Sequence, residues 1–195
     1  MHRRSLVTLL LVLVALPLSA SQFVERPFDS VARESALVIR GTVGQTWSAW
    51  DDAHEVIYTY ATVRVNRYFG EATGPDTLII REAGGTVDGY KMEAIGFPEL
   101  RSGEDVVLLL SRWQDSADYR IHAFNQGKFL VRNRDGVDVL IQDPLKQGES
   151  RLSGRFGRIG VNATDDEGPS LTIDEFSQMV NDARAGHEVD IQKRR

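Results

Sequence analysis

Carboxylates, imidazoles and hydroxyls are the groups that could carry chemistry in this chain, because it has no cysteine. That absence removes thiol catalysis, Cys-based zinc sites and thioredoxin-like redox exchange. Of the four histidines, His2 stands in an N-terminal leader, and His54, His122 and His187 are isolated from one another. No HExxH or comparable ligand spacing occurs, so no metal motif is present and no cofactor is expected. His122 shares the phase of Arg120 and Phe124 and reads as a surface or half-buried imidazole. There is no GxSxG elbow and no SxxK, and Ser111 and Ser153 have no base beside them in sequence.

The carboxylates cluster at Asp51-Asp52 and at Asp165-Asp166-Glu167. Calcium takes about six to eight oxygens, often from alternating Asp or Asn with a distant Glu, and neither cluster has that spacing. Both read as solvated loop charge. A carboxylate pair brought together from different strands, as in glycoside hydrolysis, stays open as a competing reading. Gly154, Gly157 and Gly160 lack the lysine and the strand-to-helix context of a phosphate loop and read as a flexible segment. Asn162-Ala163-Thr164 fits a glycosylation sequon, which has meaning only in a eukaryotic secretory host.

The aromatics carry more. Trp47 falls in the core phase of an alternating segment and is expected to be structural, whereas Trp50 stands at a hairpin tip beside Asp51-Asp52. Tyr58 and Tyr60 alternate out of phase with the expected core. Exposed Tyr and Trp are enriched where surfaces bind partners, so Trp50, Tyr58, Tyr60 and Arg64 are expected to border a recognition surface. The competing expectation is that a terminal helix covers this face.

These side chains must be positioned by a mainly β scaffold behind a leader. Arg3-Arg4, the apolar run from Leu6 to Leu16, Pro17 and the small residues Ser19-Ala20-Ser21 have the three-part layout of a secretory signal peptide. The run is shorter than the about 20 apolar residues a membrane-spanning helix needs. With no cysteine after it, a bacterial lipoprotein anchor is excluded, and no membrane anchor is expected after cleavage. The formal net charge is −5, and losing Arg3 and Arg4 makes the mature chain more acidic still. That balance argues against nucleic acid and against anionic lipid surfaces.

Phe23 to Ser35 suggests a short helix with Phe28, Val31 and Ala32 on one face. Ala36 to Trp47 and Glu55 to Tyr68 alternate as two long strands of an antiparallel hairpin, with Gly41 and Gly44 as bulge points. In the second, Ile57, Thr59, Ala61, Val63 and Val65 share the inner face. Thr77 to Glu82 is a third strand, Thr86 to Ile95 a weak strand or irregular loop, and Val106 to Leu110 a strand buried on both faces. Tyr119 to Phe124 alternates, and Gly127 to Ile141 suggests another hairpin. Thr172 and Glu175 form a capping box before Phe176, Met179, Val180 and Ala183 at helical spacing, with Ile173 and Phe176 expected to dock the helix. The reading is a small closed or partly open antiparallel barrel, OB-like, with a short N-terminal helix and a C-terminal helix. Its expected organisation is a signal peptide at 1–20, the barrel at 21–141, a flexible connection at 142–170, the helix at 171–186 and a charged tail at 187–195.

Ala36-Leu37-Val38-Ile39-Arg40-Gly41-Thr42-Val43, Ile57-Tyr58-Thr59-Tyr60 with Val63 and Val65, Tyr68-Phe69-Gly70, Gly84-Gly85, Gly103-Glu104-Asp105 with Val106 to Leu110, and Gln126-Gly127-Lys128-Phe129 resemble the pattern of uncharacterised exported bacterial β-barrel proteins. The pattern is also distantly similar to the netrin-like OB fold of tissue inhibitors of metalloproteinases. That resemblance implies the barrel and an exported protein partner such as a protease. The zinc-chelating N-terminal cysteine of those inhibitors has no counterpart here, so their mechanism does not carry over. The expected function is an exported, non-enzymatic binding or protein-interaction module, periplasmic or extracellular. A hydrolase with carboxylates assembled by the fold and a structural envelope component are the competing classes. Expressed with its leader in a bacterial host, the chain is expected in the exported fraction, shorter by about 20 residues. Mass spectrometry of its N-terminus should find Ser21 or Gln22, and retention of the intact chain in the cytoplasm would count against export.

Overall fold

Alternating, β-branched-rich sequence forms the two longest strands, β1 (Leu37–Trp50) and β2 (Ile57–Tyr68), paired antiparallel. The protein is represented by a computed structural model that describes residues 26–142, apart from 95 and 115, and residues 171–189. The expected leader, the connection from residue 143, the glycine loop, the sequon, the Asp165-Asp166-Glu167 cluster and the tail from residue 190 lie outside the described residues.

β3 (Thr77–Ala83) pairs antiparallel with β2, and β7 (Tyr119–Ile121) runs parallel to β3. β6 (Asp105–Arg112) pairs with β7 and with β1, so β1-β2-β3-β7-β6 closes on itself as a five-stranded, OB-like barrel. The expected Gly127–Ile141 hairpin is β8 (Lys128–Arg134) and β9 (Val137–Gln142), which extends the sheet from β6, and β10 (Leu171–Thr172) adds to its edge. The weak segment after Gly84 is a separate two-stranded hairpin, β4 (Gly85–Val87) and β5 (Tyr90–Met92).

Two register shifts interrupt the β1–β2 ladder, at Arg40/Gly41 and between Val43 and Thr46, beside both glycines expected as bulge points. A Cβ on Gly44 would stand 2.6 Å from Thr62 Oγ1, so the backbone can approach β2 there only without a side chain. The second bulge has a consequence for Trp47. An extra residue inverts the facing of everything after it. Trp47 therefore leaves the core phase of Ile39 and Val43 and is 37% exposed, which corrects the expectation that it is structural core.

Two cores share β6. Val106, Leu108 and Leu110 point into the barrel with Ile39, Val43, Val63, Leu78, Ile80 and Ile121. Val107 and Leu109 point the other way, against α1 (Phe28–Glu34) and α2 (Ile173–Arg184). α2 starts at the expected capping box, with Thr172 Oγ1 accepting from the Glu175 amide and the Glu175 carboxylate accepting from the Thr172 amide. Phe176 docks it edge-on against Phe28, Phe69 and Phe129, at centroid distances of 5.3–5.6 Å. α1 is held by Arg26, whose guanidinium reaches Ser30, Glu34 and, at 3.3 Å, His122 Nε2. Burial, with Arg26 beside it, holds this half-buried imidazole below the ordinary histidine range.

Charged groups tie the layers where apolar contact ends. Arg40 on β1 makes ion pairs to Asp105 at 2.7 Å and to Asp138 at 2.8 Å. Lys128, 1% exposed, bonds Glu104 Oε2 at 2.9 Å and the Glu99 carbonyl, pinning the 96–104 loop to the barrel. Because Leu108 and Leu109 serve different cores from one strand, truncating either to Ala is expected to lower the unfolding free energy by about 3 kcal/mol. Urea denaturation of the two variants measures this, and a change near zero for either would show that its core does not bear on the barrel.

Candidate functional site

Consecutive residues on β3 open onto two different environments. Alternation sends Arg81 outward and Glu82, like Leu78 and Ile80, inward.

On the outer side, Arg81 is the centre of an aromatic cluster. Its guanidinium carbon lies 3.9 Å from the Tyr58 ring centroid, 4.7 Å from that of Trp113 and 5.5 Å from that of Tyr60. The ladder explains the meeting: Tyr60 is opposite Arg81, and Trp47 is opposite Tyr60. Trp47 stacks on Tyr60 with centroids 5.4 Å apart, and Tyr58 meets Trp113 edge-on at 5.3 Å. Arg120 on β7 extends the patch, 5.9 Å from the Trp113 ring. Arg81 Nε is buried and has no hydrogen-bond partner. The two helices pack against the other core, so neither covers this face, contrary to the expectation that one would. The outward positions of β2 and β3 hold no carboxylate.

The four residues expected to border one surface separate. Tyr58 and Tyr60 are joined in the cluster just described. Arg64 is exposed on the same face of β2, about 13 Å further along the strand from Tyr60 at the usual rise. Trp50 is opposite Ile57 in the ladder and so faces the other side of the sheet, where it meets His54 and Tyr90. Asp51, beside it, accepts from the amides of Glu55 and Val56 at 2.8 and 3.1 Å. Those bonds lower its pKa and explain the carboxylate as a loop cap.

On the inner side, Ser48, Thr59 and Glu82 form a polar row across β1, β2 and β3 at the end of the barrel beside the β4–β5 hairpin. Thr59 Oγ1 donates to the Gly84 carbonyl at 2.8 Å, which leaves Ser48 Oγ to donate to Thr59 across 3.0 Å. Glu82 is 6% exposed; its Oε1 accepts from the Ile121 amide at 2.5 Å, and its Oε2 is buried with no hydrogen-bond partner. Burial pushes its pKa up to about 8 against the pull of the Ile121 amide and the Arg120 charge. A cavity of about 380 Å³ opens on this row, walled by the β4–β5 hairpin and the 96–101 loop. No group of three or more His, Asp or Glu residues among the described residues is placed to hold a metal ion.

Trp47, Arg81, Trp113 and Glu82 are the residues that sequence reasoning missed. Glu82 carries a legible mark, a charged residue in the inward phase of Leu78 and Ile80. Arg81 and Trp113 carry none, because only barrel closure brings the segment after β6 beside β3.

No protein-family profile, curated protein or solved structure matches the chain.

The raised pKa of Glu82 fixes a pH dependence. An acid with a higher pKa in the folded than in the unfolded state holds its proton longer when folded, so stability falls as pH rises between the two values. That window runs from 4.5 to about 8. Glu82→Gln is expected to flatten the stability profile across it, where the wild type loses up to about 1.4 kcal/mol per pH unit. Urea titrations at several pH values compare the two, and parallel profiles would show that Glu82 ionises normally.

Proposed function

We propose that this chain is an exported, non-enzymatic protein-interaction module, acting in the periplasm or outside the cell, whose outer β1–β3 face grips a segment of an exported partner protein. One observation carries the reading: a half-buried arginine ringed by Tyr58, Tyr60 and Trp113, backed by Trp47, on a face that neither described helix covers. Aromatics and arginine are the residue types that dominate binding energy at interfaces. The strand 2–3 face is also the ligand-binding side of OB barrels. Arg81 stands in no ion pair among the described residues, and Asp51, the carboxylate its charge acts on, is already held by two backbone amides. The partner chemistry that fits is a carboxylate flanked by apolar side chains. The carboxylate completes the guanidinium's hydrogen bonds, and the apolar groups cover the rings. An exported protease presenting such a segment is the partner that the resemblance to netrin-like inhibitors suggests.

Hydrolysis is less well supported. Of the carboxyls that line the cavity, Glu93 and Glu99 are paired with Lys91 and Arg101, Glu82 stands alone in the polar row, and the Ser48 hydroxyl is turned to Thr59 instead of a histidine.

The test is a titration of the mature chain against an exported protein recovered with it from its native envelope or culture fluid. Trp47→Ala, Tyr60→Ala and Arg81→Ala, each checked for an unchanged far-ultraviolet spectrum, are expected to weaken binding at least about ten-fold. Trp50→Ala, on the opposite side of the sheet, is expected to bind like the wild type. Equal affinity across all four would remove the face from the interaction.

A further inference from the structure

We propose that the cavity at the end of the barrel is a binding site for a small uncharged molecule carrying a carboxamide, with Glu82 as its anchor. The site lies on the inner side of β3 and is separate from the outer face that Arg81 occupies.

The first argument is where the polarity sits. The inward faces of β1, β2 and β3 are apolar at Val43, Val63 and Leu78, admit Thr46 beside Ala61 and Ile80, and turn polar on all three strands in the row Ser48–Thr59–Glu82. A carboxyl oxygen buried without a hydrogen bond is destabilising by about 1–3 kcal/mol. A purely structural row would have no use for it. Here Glu82 lines a cavity of about 380 Å³, within the range of pockets that hold small ligands.

The second argument is the chemistry offered. Burial keeps the Glu82 carboxyl protonated at neutral pH, so its unpartnered oxygen, which has almost no accessible surface in the structure, is a hydroxyl donor that a small shift of the side chain presents to the cavity. Its Oε1 spends one lone pair on the Ile121 amide and keeps the other. Donor and acceptor side by side on one carboxylic acid match the carbonyl and N–H of a carboxamide, in two reciprocal hydrogen bonds. Ser48 Oγ, having donated to Thr59, is left as an acceptor for the second amide hydrogen.

The third argument concerns charge. Lys91 is paired with Glu93 and Arg101 with Glu99, so the cations that line the cavity are already matched. Arg120 of β7 acts on Glu82 from behind, while Thr59 faces it from β2 and Ser48 stands one strand further on β1. Lys91 and Arg101 thus offer no unmatched charge to a ligand ion, and Arg120 is turned to the outer side of β7. The walls at Met92, Phe97 and Leu100 supply apolar contact for the rest of a small molecule.

Gly85 shapes the entrance. Its φ is +144°, and a Cβ there would lie 2.5 Å from Ser48 Oγ and 2.6 Å from Thr59 Oγ1. Only glycine lets the β4 backbone pass so close to the polar row and leave the space beside Glu82 clear.

Three probes of similar size and different charge test the proposal by amide chemical-shift titration of the mature chain: propionamide, propionate and propylammonium. At pH 6.5 propionamide is expected to shift the Gly84, Gly85 and Ile121 amides saturably, and propionate to leave them unmoved. At pH 9.5, with Glu82 ionised, propionamide should bind at least ten-fold more weakly. Glu82→Gln, which keeps an uncharged donor, should bind it equally at both values. Stronger shifts with propylammonium than with propionamide would overturn the proposal in favour of an anionic site. No saturable shift with any probe in the wild type would overturn it outright, whether or not the variant folds.

Discussion

The five apolar residues Val106 to Leu110 on β6 are the constraint from which the rest follows. Each is fully buried, because alternate side chains belong to different cores. The same strand lends its edges to β1, β7 and β8. β6 is thus the common wall between the barrel interior and the helix layer. A strand buried on both sides must have both sides covered. The barrel covers one and the two described helices cover the other, so neither of them lies on the far side of the barrel. The aromatic face at Tyr58, Tyr60 and Arg81 is half-buried by its own rings and carries neither of the described helices.

β3 shows how one strand serves two surfaces. Arg81 and Glu82 are neighbours in the chain yet lie on opposite sides of the barrel wall. Arg81 is stabilised by rings, without a direct ion pair among the described residues, and Glu82 by a backbone amide that satisfies half of its carboxyl. Both are polar groups with unfilled bonding capacity, held in place by surroundings that do not complete them. Buried polar groups in folded proteins are nearly always satisfied, so two adjacent exceptions set β3 apart from the other described strands.

Much of this was legible in the residues. The first hairpin, its glycine bulge points, the doubly buried strand, the capping box and the docking role of Phe176 all follow from period, propensity and turn chemistry. So did the facing of Tyr58 and Tyr60, which depends only on alternation within β2. Trp47 was not legible. Its facing depends on an extra residue between Val43 and Thr46, and a bulge near a glycine does not declare in sequence which strand carries the extra residue. Trp50 was placed with the tyrosines by proximity along the chain, but ladder pairing with Ile57 puts it on the other side.

By itself the sequence determined the local matters: which segments are strands, which faces of them are apolar, where the C-terminal helix begins, and that no thiol chemistry is available. Tertiary structure alone decided which strands are neighbours, and so which side chains meet. Arg81 reaches Trp113, and Glu82 the Ile121 amide, only because β3 pairs with β7 and β7 with β6 when the barrel closes. The physical reason is the range of the interactions. Alternation and capping act over a few residues and are written in consecutive positions. Barrel closure is a non-local pairing whose partners are chosen by the packing of the whole core.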